Sequence, residues 1–291
     1  MRCAVTAASG RLGHATLAAL SVRTDRANLV GIARDPGRID VPGIDKRAGD
    51  YESVEQMTAA LCDIDTVIMI SAPVVDATDR VKLHRNVIEA AKQAGVRKIV
   101  YTSVIGGPGE EDTLFSATQQ VNRQAETDVA GSGLDWIIAR NGLYLELDLE
   151  HIRLANEAGV YRNNGGEGRC GYISIGELAY ATAAFAMSDA CNGRTLNLTS
   201  ENKTQAELVE LANEIFGLDV RYEPMTAEQN IERFMGHEKI AARGEGVAKM
   251  LTGCFQCIEN GAFDVPCDFT EATGRAPKSI REQFEEIRDA G

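Results

Sequence analysis

Thr6-Ala7-Ala8-Ser9-Gly10-Arg11-Leu12-Gly13 is the stretch on which the fold turns. Arg2 to Thr6 forms a short β-type run before it. After it, Leu12, Ala15, Thr16 and Ala19 sit at offsets of three, four and seven, one face of a helix. A glycine turn between strand and helix lets main-chain amides and the positive helix end hold a phosphate. Glycine stands at 10 and 13 but not at 7, where alanine implies a turn that avoids positive φ. The candidates for touching a dinucleotide here are Thr6, Ala8, Ser9, Gly10, Arg11 and Leu12.

Outward from this turn, short β-type runs alternate with helical patterns, as a parallel α/β sheet requires. Leu29 to Ala33 reads as a second strand, closed by Asp35-Pro36-Gly37, and Lys46 to Gly49 as a weak third. Val54, Met57 and Leu61 mark a short helix. Thr66 to Ser71 is apolar on consecutive positions, so both its faces should be covered. Leu83, Val87, Ala90, Ala91 and Ala94 trace a helical stripe that Gly95 stops. Ile99 to Ser103 and Leu134 to Ala139 are further strands, separated by the loop Gly106 to Asp112 and a helix ending near Ala130. After Arg140-Asn141-Gly142 the alternation is lost. A helix from about Leu178 to Met187 and a strand from Thr195 to Leu198 are expected to rejoin the sheet, and helices at Gln205 to Phe216 and Ser279 to Ile287 belong to a cap. The expected architecture is a doubly wound parallel sheet with helices on both faces, plus a smaller C-terminal α+β domain. Residues 1–145, rejoined by 171–200, would form the first; 146–170 and 201–291 would form the second.

The chain carries 30 Lys and Arg against 43 Asp and Glu, a net charge of −13. That field repels phosphate backbones and anionic lipids, which argues against nucleic-acid or membrane partners. An anionic cofactor would need a local pocket of amides and cations. The start becomes a glycine loop too soon to supply a signal peptide's apolar core, so the seven cysteines read as reduced thiols of a cytoplasmic protein. Cys254 and Cys257 form a lone C-x-x-C, with Cys267 nearby and His237 upstream. No second pair completes a zinc site, and no metal is expected.

Polar and small residues recur where strands end. Arg34 follows the second strand, where a guanidinium can pair with the 2′-phosphate of NADPH; an acid there would instead favour NADH. Asp35 beside it is placed to hold a ribose. Asp50 and Tyr51 follow the third strand, and Asp50 is a candidate for the adenine amine. Ser71, Ala72 and Pro73 would line the adenosine or ribose, while Thr102, Ser103 and Asn141 would approach the nicotinamide. In a parallel sheet these ends share one edge, beside the point where strand order reverses. Ser103, Asn141 and Tyr144 are the candidate catalytic groups, with Tyr144 either a proton donor or an aromatic wall of the cleft. His84 lies within a helical pattern and reads as packing.

Several segments resemble the NmrA-like atypical short-chain dehydrogenases, in the branch of NAD(P)H:quinone oxidoreductases and triphenylmethane dye reductases. They are residues 6–13, Gly31-Ile32-Ala33-Arg34-Asp35-Pro36, His84-Arg85-Asn86-Val87-Ile88, Ala94-Gly95-Val96-Arg97-Lys98, Tyr101-Thr102-Ser103 and Arg140-Asn141-Gly142-Leu143-Tyr144. The likeness continues faintly through Ile173 to Ser200, and Thr273-Gly274-Arg275-Ala276-Pro277 is similar to the family's closing motif. The resemblance implies a Rossmann domain binding NADPH and a C-terminal domain walling the substrate cleft. Ala7 departs from the pattern.

Ordinary short-chain dehydrogenases protonate an alkoxide with Tyr-x-x-x-Lys. None of the seven tyrosines has lysine four residues later: Ile105 follows Tyr101 and Asp148 follows Tyr144. A simple ketone needs a positioned acid when it accepts hydride. A quinone yields a phenolate whose acid has a pKa of about 10 or lower, and a cationic dye needs no proton. The expectation is a reductase of a quinone-like or other conjugated small molecule, monomeric or homodimeric. A dinucleotide-binding redox sensor without turnover is the alternative, and a nucleotide-sugar epimerase is disfavoured by the same missing pair.

Overall fold

The computed structural model describes residues 1–72 and 77–290. In chain order the strands are β1 Cys3–Val5, β2 Leu29–Ala33, β3 Asp45–Ala48, β4 Thr66–Ile70, β5 Lys98–Val104, β6 Asp135–Asn141, β7 Leu143–Tyr144, β8 Val160–Asn163, β9 Cys170–Ile173, β10 Arg194–Leu198, β11 Glu201–Lys203 and β12 Arg221–Pro224. The helices are α1 Arg11–Ser21, α2 Val54–Ala60, α3 Ala77–Gln93, α4 Ser116–Ala130, α5 Leu145–Ala155, α6 Ile175–Met187, α7 Gln205–Phe216, α8 Ala227–Met235, α9 Glu238–Ala241, α10 Glu245–Glu259, α11 Phe269–Thr273 and α12 Ile280–Asp289.

Seven strands build one sheet in the order β10-β6-β5-β4-β1-β2-β3, and every pairing in it is parallel. The chain winds from β1 outward to β3, crosses to β4 and winds the other way. Strand order therefore reverses between β1 and β4, where such sheets open a crevice at their carboxyl ends.

The pleat sorts the core into two layers. Val5, Leu29, Ile68, Val100 and Ile137 face one layer with Leu17 and Leu20 of α1 and Leu178 and Phe185 of α6. Ala4, Val30, Val67, Ile99 and Ile138 face the other, with Met57 of α2, Val87 and Ala91 of α3 and Val129 of α4. These strands are apolar on consecutive positions because both faces are covered, as expected for Thr66 to Ser71. The helix α1 is turned slightly from the expected stripe. Leu12, Thr16, Leu17 and Leu20 are its buried residues besides Gly13, while Ala15 and Ala19 are half-buried.

After β6 the chain leaves the large sheet. The strand β9 pairs parallel with β7 and antiparallel with β11, and β8 pairs with β12. Return to the large sheet runs through α6 and β10, so Cys170–Ile173 belongs to the small sheet rather than to the returning segment. A third core joins Leu145, Leu149 and Ile152 of α5 to Leu208 of α7, Phe255 of α10 and Phe284 of α12. Ile105 and Phe115, which flank the loop after β5, also enter this core and tie the two parts together. Gly253 permits that approach: a Cβ there would lie 2.2 Å from the Phe115 nitrogen.

Candidate functional site

Main-chain geometry dominates the turn after β1. The Thr6 amide donates to Ile68 O and the Ala8 amide to Ile32 O, each at 3.0 Å, so both neighbouring strands grip the turn. The Gly10 amide closes it onto Ala7 O at 2.9 Å. Ala7 has φ +48°, which corrects the expectation that alanine keeps this position out of the left-handed region. The grip of both strands imposes the conformation, at a cost of about 1–2 kcal/mol for a residue with a Cβ. Gly13 is required by proximity, since a Cβ there would lie 2.5 Å from Ala7 O. Gly10 caps α1 without a side-chain acceptor, and its first turn holds no acid. The helix thus presents uncompensated amides and positive charge beside Ala8, Ser9, Arg11 and Leu12. Leu12 turns its side chain into the core, leaving its amide for the turn.

Thr6 and Tyr51 stitch the strand ends together. Their hydroxyls share a short hydrogen bond, Tyr51 also donates to Ile70 O at 2.7 Å, and Ile70 N donates to Thr6 Oγ1 at 3.1 Å. Burial pushes the Tyr51 phenol well up. The oxygens of these two side chains bond within the protein and brace the strand ends. Asn86 Nδ2 adds a bond of 2.8 Å to Tyr51 O. The half-buried Asp50 turns Oδ1 onto the Glu52 amide at 3.1 Å.

Arg34, exposed after β2, makes no hydrogen bond or ion pair among the described residues. Asp35 Oδ1 accepts from the Gly37 amide at 3.0 Å and holds the following turn. At the end of β4, Ser71 N donates to Thr102 Oγ1 at 3.1 Å. The Ala72 amide donates to His84 Nε2 at 3.0 Å, and Arg80 Nε donates to Ala72 O at 2.9 Å. His84 is fully buried and neutral, since burial, helped by Arg80, pushes its pKa down to about 3. Pro73 lies outside the described residues.

Ser103 shares its pleat face with Tyr101, so it points toward α4 and not along the crevice. Its hydroxyl donates to Glu126 Oε1 at 2.6 Å. Arg140 grips the same carboxylate with bonds of 2.9 and 2.6 Å, and Arg123 bridges it at 2.7 Å to Glu110 at 2.8 Å. Burial pushes the Glu126 carboxyl up, but Arg140, Arg123 and Ser103 hold it below its usual value. The Ser103 proton is thereby engaged by Glu126. This network, which pins the loop after β5 to α4 and β6, was missed in the sequence. The parity of Tyr101-Thr102-Ser103 was the available signal, since it puts Thr102 and Ser103 on opposite faces.

Asn141 is buried at the end of β6, and its Oδ1 has no partner among the described residues. Gly142 follows with its Cα so close to Gly171 O that a Cβ would lie 2.5 Å away. Tyr144 is half-buried against the first core layer. Burial pushes its phenol up, the Asn141 side chain opposes that, and Glu146 adds to it. Asn141 and Tyr144 thus stand together at the open edge with hydrogen-bonding capacity to offer.

Cys254 and Cys257 are free thiols on α10; burial pushes both up, Cys257 to about 11. Among the described residues no three His, Cys, Asp or Glu side chains are grouped to hold a metal ion. Nor is any described helix long and apolar enough to cross a membrane.

Comparison with known proteins gives the family. Residues 7–165 match the family described as NAD(P)H-binding. The chain is 27% identical to quinone oxidoreductase 2 of Escherichia coli, with 98% of each chain covered. It is 30% identical to an NmrA-like family domain-containing oxidoreductase of Aspergillus flavus, covering 76% of this chain and 74% of that one. Triphenylmethane reductase of a Citrobacter species, solved in complex with NADP(H), superposes with a TM-score of 0.86 at 26% identity, covering the whole of both chains. The chain belongs to the NAD(P)H-binding family and is an NAD(P)H-dependent oxidoreductase.

Proposed function

We propose that this oxidoreductase uses NADPH to reduce a quinone-like or other conjugated small molecule. The observation that carries the cofactor reading is the uncapped start of α1 beside an unpaired Arg34. Together they supply amides for a pyrophosphate and a cation for a 2′-phosphate. When bound, NADPH supplies the hydride. In this reading Asp50 faces the adenine, Ser71 and Ala72 line the ribose, and Thr102 braces the Ser71 amide. Asn141 orients the nicotinamide through its unpartnered Oδ1. Tyr144 gives a hydrogen bond or a proton to the acceptor oxygen.

The acceptor class follows from the absent Tyr-x-x-x-Lys pair. Acceptors that yield a weakly basic oxyanion, or none, demand less of the protein's acids than a ketone does. Residues 146–170 and 201–291 would wall the acceptor site in a cytoplasmic monomer or homodimer. The test is purified protein with NADPH and a panel of quinones, enones and cationic dyes, followed at the nicotinamide absorbance. Oxidation with at least one conjugated acceptor, and none with simple ketones, is expected. Binding without oxidation across the panel would instead favour the sensor.

A further inference from the structure

Glu146 lies in the first turn of α5, two residues beyond Tyr144. Its Oε1 accepts from the Ile175 amide at the start of α6, at 2.8 Å, while Oε2 is buried without a partner among the described residues. Across a shared groove stands Arg11, the first residue of α1, exposed and with no ion pair or hydrogen bond among the described residues. Glu150, Arg153 and Ile287 of α12 line the same groove. The Arg153 guanidinium is stacked over Phe216, 4.3 Å from the ring centroid, and Glu150 is exposed. Tyr144, two residues earlier at the end of β7, feels the Glu146 charge, and α6 contributes the Ile175 amide. Burial raises the Glu146 carboxyl; its own amide, the Ile175 amide and Arg11 oppose the rise, and Arg11 is the one charged group among these.

We propose that Glu146 is a positioning residue that takes up a proton when the dinucleotide binds, because a pyrophosphate over α1 engages Arg11 and leaves Glu146 facing an anion. The inference rests on the cofactor reading above and adds proton linkage to it. Arg11, neutralised by a phosphate, no longer favours the carboxylate, and the phosphate disfavours it further. Neutral Glu146 no longer raises the neighbouring phenol, so Tyr144 becomes the better donor. As the acceptor gains hydride, the Tyr144 O–H bond breaks and the proton goes to the acceptor oxygen. The tyrosinate then regains its proton from water.

The sign follows from linkage. Protons are taken up at pH values between the Glu146 pKa of the free protein and its higher value in the complex. NADPH affinity therefore falls as pH rises through that window and is flat on either side.

The experiment is calorimetric titration with NADPH at a series of pH values from weakly acidic to neutral, each in two buffers of different protonation enthalpy. Within that range wild type should take up more protons per site than Glu146→Gln, which keeps an acceptor for Ile175 but cannot titrate. Titration of the 2′-phosphate is common to both and cancels. Arg11→Met should also take up less than wild type, because Glu146 then holds its proton before binding; this arm decides the matter if Glu146→Gln fails to fold. Equal uptake in wild type and variant overturns the proposal while leaving cofactor binding intact. No heat with NADPH removes both.

Discussion

Single residues shape the turn after β1. Ala7 sits at φ +48° where glycine would be at ease. Ala7→Gly should therefore raise stability by about 1 kcal/mol in denaturant unfolding, the relief of strain exceeding the added freedom of the unfolded chain. A lower midpoint would mean that the conformation is not strained. Gly13→Ala should destabilise or distort the turn, because its Cβ would meet Ala7 O at 2.5 Å, and NADPH binding should weaken with it. Residue identities at the strand ends were legible in the sequence, and Arg34 is free to act as read. The φ of Ala7 was not. It comes from the bonds to Ile32 and Ile68, two strands separated from the turn in the chain. Tyr144→Phe should lower turnover with a quinone without raising KM in proportion; undiminished kcat would leave Tyr144 only as a cleft wall.

At the scale of elements, legibility follows burial. Strands β4 and β5, covered on both faces, announce themselves as apolar runs, whereas β12 reads Arg-Tyr-Glu-Pro with half-exposed and exposed positions and gives no such signal. The helices α7 and α12 carry Thr204 and Ser279 capping boxes together with an apolar stripe, so their positions were recoverable. The Glu126 network joins α4, β5, β6 and the loop after β5, and only the assembled fold brings its members together. Because the folded Glu126 carboxyl lies below its usual value, its contribution is present above about pH 4.3, the unfolded value, and is lost as pH falls through the folded pKa. Glu126→Gln should cost about 3 kcal/mol at neutral pH, since two arginines lose their partner, and should flatten the acid limb of the stability curve. An unchanged acid limb would show that the network does not hold β5 to α4.

For the whole molecule, His84 sets an acid limit. It is buried neutral, with a folded pKa of about 3 against an ordinary 6.5. Stability is whole above that ordinary value and declines as pH falls toward about 3, by on the order of 5 kcal/mol in total. Thermal midpoints measured across this range should fall in wild type and fall less in His84→Gln, which can still accept from Ala72. Equal slopes would place the acid sensitivity elsewhere.

The account as a whole depends on an acidic protein that keeps a local seat of amides, with Arg34 unpaired among the described residues, for a phosphorylated dinucleotide. Equilibrium titration of wild type and Arg34→Ala with NADPH and with NADH, followed by nicotinamide fluorescence, tests it most directly. The account predicts that wild type prefers NADPH by roughly 10- to 100-fold, a contact of about 1.5–3 kcal/mol, and that Arg34→Ala binds the two about equally. Wild type that binds neither nucleotide, or does not distinguish them, would contradict it.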